Sequence, residues 1–172
     1  MQSSSASPDT ITDPVTGFTF PGPWIAACSD KGGLDLVRAG LAVLTSSGMI
    51  LRRGYTTGTT AAACCKAATL SLAEVPGKVS VLTPSGIRVC VPVDATCGTA
   101  SCFKYPGDYP GDTTAGIQFI AESNPAENGI SLYPGEGIGR FSRDTPRNRK
   151  GDPAISSPAL SSILAAIQEG LD

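Results

Sequence analysis

Residues 51–93 read LRRGYTTGTTAAACCKAATLSLAEVPGKVSVLTPSGIRVCVPV, and this stretch decides the fold class. Its first half is helix-forming. Thr56, Thr57, Gly58 and Thr59 are capping material, because a Thr hydroxyl accepts from a backbone N–H that the first helical turn leaves unpaired. Alanine follows densely to about Ala73, and Pro76-Gly77 ends the run. The second half alternates apolar and polar residues at period two on both sides of Ser85-Gly86, which reads as a β-hairpin. A capped helix followed at once by a hairpin predicts an α+β chain, a two-layer sandwich of mixed or antiparallel sheet with packed helices.

Outward from this centre the signals are weaker. Residues 1–14, rich in Ser, Asp and Pro, predict a flexible tail, with residues 15–172 as a single domain. Residues 15–25 (VTGFTFPGPWI) read as an extended entry. Residues 33–47 place Leu34, Val37, Leu41 and Leu44 at helical spacing, with Gly48 as a stop. A short strand is expected over 49–53. Further strands are expected over 99–104, 117–122 and 130–133, with polar Gly/Pro loops over 105–116 and 134–153. The end of the chain, 159–170, is an amphipathic helix with Leu160, Ile163, Leu164 and Ile167 on one face.

Composition narrows the chemistry. With 41% hydrophobic, 16% charged and 6% aromatic residues, the chain is globular, with a core of Ala, Val, Ile and Leu. A net charge of −2 gives no general attraction to nucleic acid or to an anionic membrane. The polar N-terminus has no apolar leader and no apolar stretch is long enough to span a bilayer, so a cytoplasmic location with reduced thiols is expected. The chain has no histidine, which excludes Ser-His-Asp and Cys-His catalysis and histidine general-base chemistry. Cys28, Cys64, Cys65, Cys90, Cys97 and Cys102 contain no C-x-x-C pair, so small buried thiols are expected, or a few reactive ones among them, and no metal site.

Four segments carry chemistry. Arg52 and Arg53 precede Gly54-Tyr55-Thr56-Thr57-Gly58-Thr59, where guanidiniums, helix N–H groups and a glycine open to close approach would suit a carboxylate or phosphate. The same residues equally suit a well-capped helix with two solvated arginines. Ala61 to Ala68 is small on every face, for close packing against a sheet or a ligand. Lys104 with Gly107, Asp108, Pro110, Asp112, Thr113, Thr114 and Gly116 forms a loop able to bind a cation, hold a hydroxyl or take a proton, or one in which Asp bonds its own backbone. Gly135-Glu136-Gly137-Ile138-Gly139-Arg140 permits close ligand approach but lacks the Rossmann context. Arg140, Arg143, Arg147, Arg149 and Lys150 then make a basic run, either a solvated loop or a seat for a polyanion.

These motifs, in this order, resemble the CbiD family. LRRGYTTGTTAAACCKAA resembles its opening motif, and VSVLTPSGIRVCVPV its hairpin with a TP-x-G turn. The 104–116 loop resembles its K-D-A-G-D-D-P-D-V-T-x-G loop, ISLYPGEGIGRFSR its GGEGVGRVT segment, and GDPAISSPA its GEPAINPVPR segment. The match runs from about residue 51 to 159.

The resemblance implies a cobalt-precorrin-5B C1-methyltransferase of anaerobic cobalamin biosynthesis. S-adenosyl-L-methionine would be the donor, and cobalt would enter only as part of the corrinoid substrate. It implies Asp108, Asp112 and Thr114 as catalytic residues. It implies Arg52, Arg53, Tyr55, Thr56, Thr57, Gly58, Thr59, Lys104, Gly135, Glu136, Gly137, Gly139 and Arg140 as substrate-binding residues. Members of the family continue into a Rossmann-like second domain, expected here from a partner chain, with self-association as the other arrangement. Tyr105 and Tyr109 stand where the family loop carries Asp, Gly111 lengthens that loop, Ala115 replaces a polar residue, and Ser156-Ser157-Pro158-Ala159 replaces the Asn-Pro-x-Pro-Arg pattern. These departures leave two further readings beside catalysis: a non-catalytic corrinoid-binding module, and the structural half of a split methyltransferase.

Overall fold

Helix α3 (Thr57–Leu70) organises the larger part of the chain. Thr56 caps it, its hydroxyl accepting from the Thr59 N–H at 3.1 Å, as the sequence predicts. The structure is a computed structural model that describes residues 10–172. Within it the chain divides into two compact units, one made of residues 10–55, 85–87 and 105–115, the other of 56–84, 88–104 and 116–172.

In the second unit α3 packs against hairpin strand β3 (Lys78–Leu82), against β5 (Asp94–Thr96), β6 (Thr99–Phe103) and β7 (Gln118–Glu122), and against α4 (Ser157–Leu171). β3 pairs antiparallel with β4 (Arg88–Pro92), in a register that sets Val79 opposite Val91 and Val81 opposite Val89. All four valines are buried, so period-two alternation gives one dry face, as expected. β5, β6 and β7 form an antiparallel meander whose Ala95, Ala100 and Cys102 are buried. Small side chains on α3 (Ala62, Ala63, Cys64, Ala67, Ala68) let helix and sheet approach closely. Helices packed on antiparallel sheet make the chain α+β.

The first unit holds α1 (Gly22–Ala27), α2 (Lys31–Arg38) and the antiparallel pair β1 (Ala42–Leu44) and β2 (Ile50–Arg52). Its core is Ile11, Phe20, Cys28, Leu34, Val37, Ala42 and Leu44, with Trp24, Ile25, Leu36, Val43 and Ile50 packed on it. Three expectations change here. The entry expected to be extended over 15–25 turns helical at Gly22, where α1 begins. The helix expected over 33–47 ends at Arg38, and Leu44 lies on a strand. Gly40 adopts the left-handed region, and the paired bonds Gly40 N–H to Val37 O (3.0 Å) and Leu41 N–H to Leu36 O (2.8 Å) close a Schellman stop. Of the tail expected over 1–14, residues 1–9 lie outside the described residues. Residues 10–14 belong to the packed unit, with Ile11 and Asp13 both buried.

In the second unit, 130–133 forms no strand. Pro134, which follows, has no N–H to offer a ladder. Strand β5, unread in the sequence, is three residues long. Among the described residues no helix is long and apolar enough to cross a membrane.

Candidate functional site

The residues singled out in the sequence fall into both units. Arg52, Arg53, Tyr55, Asp108, Asp112 and Thr114 belong to the first. Thr56, Thr57, Gly58, Thr59, Lys104, Gly135, Glu136, Gly137, Gly139 and Arg140 belong to the second.

In the first unit the end of β2 meets the 105–108 segment backbone to backbone. Arg53 and Gly107 form an antiparallel bridge, and the Tyr55 N–H donates to Tyr105 O at 2.9 Å. The contact depends on two glycines. A Cβ on Gly54 would lie 2.4 Å from the Pro106 carbonyl oxygen, and one on Gly107 would lie 2.4 Å from Arg52 O. The Tyr55 and Tyr105 rings sit 5.4 Å apart at 55°, a tilted aromatic pair.

Asp108 closes the same junction. Its carboxylate accepts from the Arg52 N–H at 2.7 Å, and its own N–H donates to Arg52 O at 3.0 Å. Asp112 accepts from both the N–H (2.9 Å) and the hydroxyl (2.6 Å) of Thr114, an Asx turn. Asp108 thus fastens the loop to β2, while Asp112 and Thr114 bond each other within it.

The two arginines part company. Arg52 is exposed. Arg53 donates to Asp13 Oδ2 at 2.7 Å and to Gly40 O at 3.4 Å, with 23% of its side chain exposed. Burial pushes the Asp13 carboxyl up, but the Arg53 guanidinium, the Thr16 hydroxyl and the Val15 N–H outweigh it and hold it below the ordinary aspartate value. Arg53 is therefore a fold-holding cation. Asp13 was missed because it stands in a stretch read as tail. Asp13-Pro14 with Thr16 is the turn signal that would have found it.

In the second unit Thr56 and Thr59 are spent on the cap of α3, and Thr59 and Thr60 are buried. Thr57 is exposed on the first turn. Gly58 does not open the helix to a ligand: a Cβ there would fall 2.7 Å from the Ala159 Cβ, so the glycine makes room for α4. Lys104 is buried at 5% exposure, between backbone bonds to Ile117 O and from the Gly116 N–H. Gly135, Glu136, Gly137, Gly139 and Arg140 are exposed on an irregular loop, where Arg140 Nη1 donates to Gly151 O at 2.8 Å.

A carboxylate outside the expected set is strongly held. Glu169 of α4 receives Lys66 Nζ and Arg88 Nη2, each at 2.8 Å. The Arg88 and Lys66 bonds bring its carboxyl down to about 2. The cysteines are free thiols; Cys28, Cys64 and Cys102 are buried as expected, whereas Cys90 and Cys97 are exposed. Cys64 donates to Ala100 O and Phe119 O, and its neighbour Cys102, together with burial, pushes its thiol far up. Among the described residues no group of three or more Cys, Asp or Glu is placed to hold a metal ion.

The second unit is a core of small residues under helix α3, and the first a glycine junction stitched backbone to backbone, neither of them holding a histidine. The CbiD family model matches residues 44–172, and the chain belongs to the CbiD family. It is 57% identical over 161 residues to a cobalt-precorrin-5B C(1)-methyltransferase of Methanoregula boonei, covering 94% of this chain and 48% of that protein. A protein of the same name from Methanospirillum hungatei is 55% identical, with the same coverage. The crystal structure of the cobalamin biosynthesis protein (cbiD) from Archaeoglobus fulgidus superposes with a TM-score of 0.78 at 38% identity, over 93% of this chain and 51% of that one. The chain thus spans about half the length of the curated relatives it matches.

Proposed function

We propose that this chain is the substrate-holding part of a cobalt-precorrin-5B C1-methyltransferase, working in the cytoplasm and using S-adenosylmethionine as methyl donor. The observation that carries the reading is 57% identity, across 94% of the chain, to a relative of that name. The proposed substrate is a macrocycle fringed with carboxylates, and cobalt belongs to it. Arg52 and Arg140, both exposed, are its proposed carboxylate partners. Arg53 is withdrawn from that set because Asp13 occupies it. Methyl transfer needs alignment and exclusion of water more than proton transfer, so the lack of histidine is no obstacle.

Among the described residues, the glycine segment singled out in the sequence lacks what a nucleoside cradle requires. Gly135 to Gly139 neither follows a strand nor opens a helix, and a Cβ on Gly139 would pack 3.6 Å from Ala154 Cβ. We derive no step through the donor. Its site is proposed to lie in the half of the family's length that this chain does not span, fused to it or on a partner.

A second reading, a corrinoid-binding module without turnover, draws on Asp108, whose carboxylate accepts from the Arg52 N–H of β2, and on Asp112, whose carboxylate accepts from the N–H and hydroxyl of Thr114. The test is calorimetric titration of the purified protein with S-adenosylmethionine, with and without a cobalt corrinoid bearing free carboxylates. Saturable corrinoid binding is expected, with methyl transfer once the donor-binding half is supplied. Corrinoid binding without transfer in that reconstituted system favours the second reading. No corrinoid binding removes both.

A further inference from the structure

The basic run after Arg140 is a built loop. Arg140 and Pro153 form an antiparallel bridge at its base. Above it the Phe141 N–H donates to Asp152 O at 2.9 Å, and the Gly151 N–H to Phe141 O at 2.8 Å. Nearer the tip, the Thr145 N–H donates to Asn148 O at 2.8 Å, and the Thr145 hydroxyl receives the Asn148 N–H at 3.0 Å. Fourteen residues closed at their base in this way are a compact surface loop, the kind that often carries function.

The loop's acids are both turned onto backbone. Asp144 accepts from the Lys150 N–H at 2.8 Å, and Asp152 from the Arg149 N–H at 2.7 Å. Neither forms an ion pair with the loop's cations. Among the described residues the ion pairs fall elsewhere, at Asp35–Arg38, Asp13–Arg53 and Glu169 with Lys66 and Arg88. Arg143, Arg147, Arg149 and Lys150 are all exposed. With five cations against two carboxylates the loop carries +3 in a chain whose total is −2, so the remainder carries −5. The loop's cations are confined to fourteen residues, a footprint that suits a small molecule bearing several carboxylates rather than a long polyanion or a membrane. Guanidinium is the suited group, because its planar fork takes a carboxylate in two parallel bonds.

We propose that the 140–153 loop is a polycarboxylate-recognition loop, in which Arg143, Arg147, Arg149 and Lys150 hold carboxylates at the rim of the ligand. This rests on the substrate class proposed above and adds to it four residues outside that set. The acids act as internal fasteners that keep the cations turned outward.

The test uses two porphyrins as probes, one with eight carboxylates and one with two, titrated into the full chain by fluorescence. Wild type is expected to prefer the octacarboxylate, in a salt-dependent way. The variant R143Q/R147Q/R149Q/K150Q is expected to lose about tenfold or more in octacarboxylate affinity, with the dicarboxylate changing by less than about threefold. The variant R143K/R147K/R149K keeps every charge and loses the fork. It is expected to fall between the two, and it decides the matter should the glutamine variant not fold. A folded variant of either kind that binds the octacarboxylate as wild type does overturns the loop's role alone. Wild type that binds neither porphyrin overturns the substrate class, and the loop's role with it.

Discussion

The guanidinium of Arg53 stands 2.7 Å from the carboxylate of Asp13, whose side chain is only 2% exposed. A residue expected to meet substrate instead neutralises a buried charge of its own unit. Removing the cation leaves that charge dry and unpaired. Arg53→Met is expected to lower stability by about 3 kcal/mol in urea unfolding. The sign of its pH dependence follows from Asp13. In wild type the carboxyl is held low, so its contribution is present above the ordinary aspartate value and fades as pH falls through the native one. Without Arg53, burial dominates and protonation relieves the variant. The gap between wild type and variant should therefore narrow below about pH 4. A gap that does not change with pH would contradict this account.

Gly58 separates a packing role from a ligand role. Gly58→Val puts a side chain into Ala159 and is expected to cost about 1–3 kcal/mol by overpacking. The check is a thermal melt of the protein without ligand. An unchanged melting temperature with weakened corrinoid binding would return Gly58 to the ligand.

Glu169 holds Lys66 and Arg88 together from α4, with its carboxyl down at about 2. Its stabilising contribution is fully present above the ordinary glutamate range and is lost as pH falls toward 2. Glu169→Gln should be less stable than wild type near neutrality, with the difference closing over that window. Because the carboxylate is one-third exposed, the effect is modest and shrinks in high salt.

The thiols should separate by exposure and by pKa. Cys90 and Cys97, both exposed, are expected to react first with an alkylating reagent. Cys65, whose thiol burial pushes up to about 11, should follow, and Cys28, Cys64 and Cys102 should react only on unfolding. Peptide mapping after a time course reads the order directly. Early labelling of Cys64 or Cys102 would mean that α3 and β6 come apart in the native state.

Asp108→Ala removes the acceptor of the Arg52 N–H and should lower stability by about 1 kcal/mol. Beside it, Asp108→Asn keeps an acceptor. Retention of methyl transfer by the Asn variant in the reconstituted enzyme would assign the carboxylate to the loop; loss of transfer without loss of stability would assign it to catalysis.

The capped helix was readable from its Thr cap and dense alanine, and the valine hairpin and the final helix from local periodicity that burial then rewards. What failed was decided at single residues or by partners. Leu41 and Leu44 kept helical spacing past Arg38, but one left-handed glycine between them and the helix outweighed it. The alternation at 130–133 found no strand to pair with. Among the expected site residues, Thr56 was readable as a cap, while the chemistry of Asp108 and Asp112 was readable and its direction was not. A hydroxyl or carboxylate that can hold a ligand can equally hold its own backbone, and only the geometry decides.

Helix α3 has sheet on one flank and α4 on another, with Thr60, Ala62, Ala63, Ala67 and Ala68 all but sealed from solvent. Such a rod has almost no side on which to grow. An extra methyl on any of these residues must displace a strand or a neighbouring helix. The stretch can therefore drift only among the smallest side chains, while exposed loops are free to vary. Novelty in this fold has to be written at its periphery, because its axle has no blank space left.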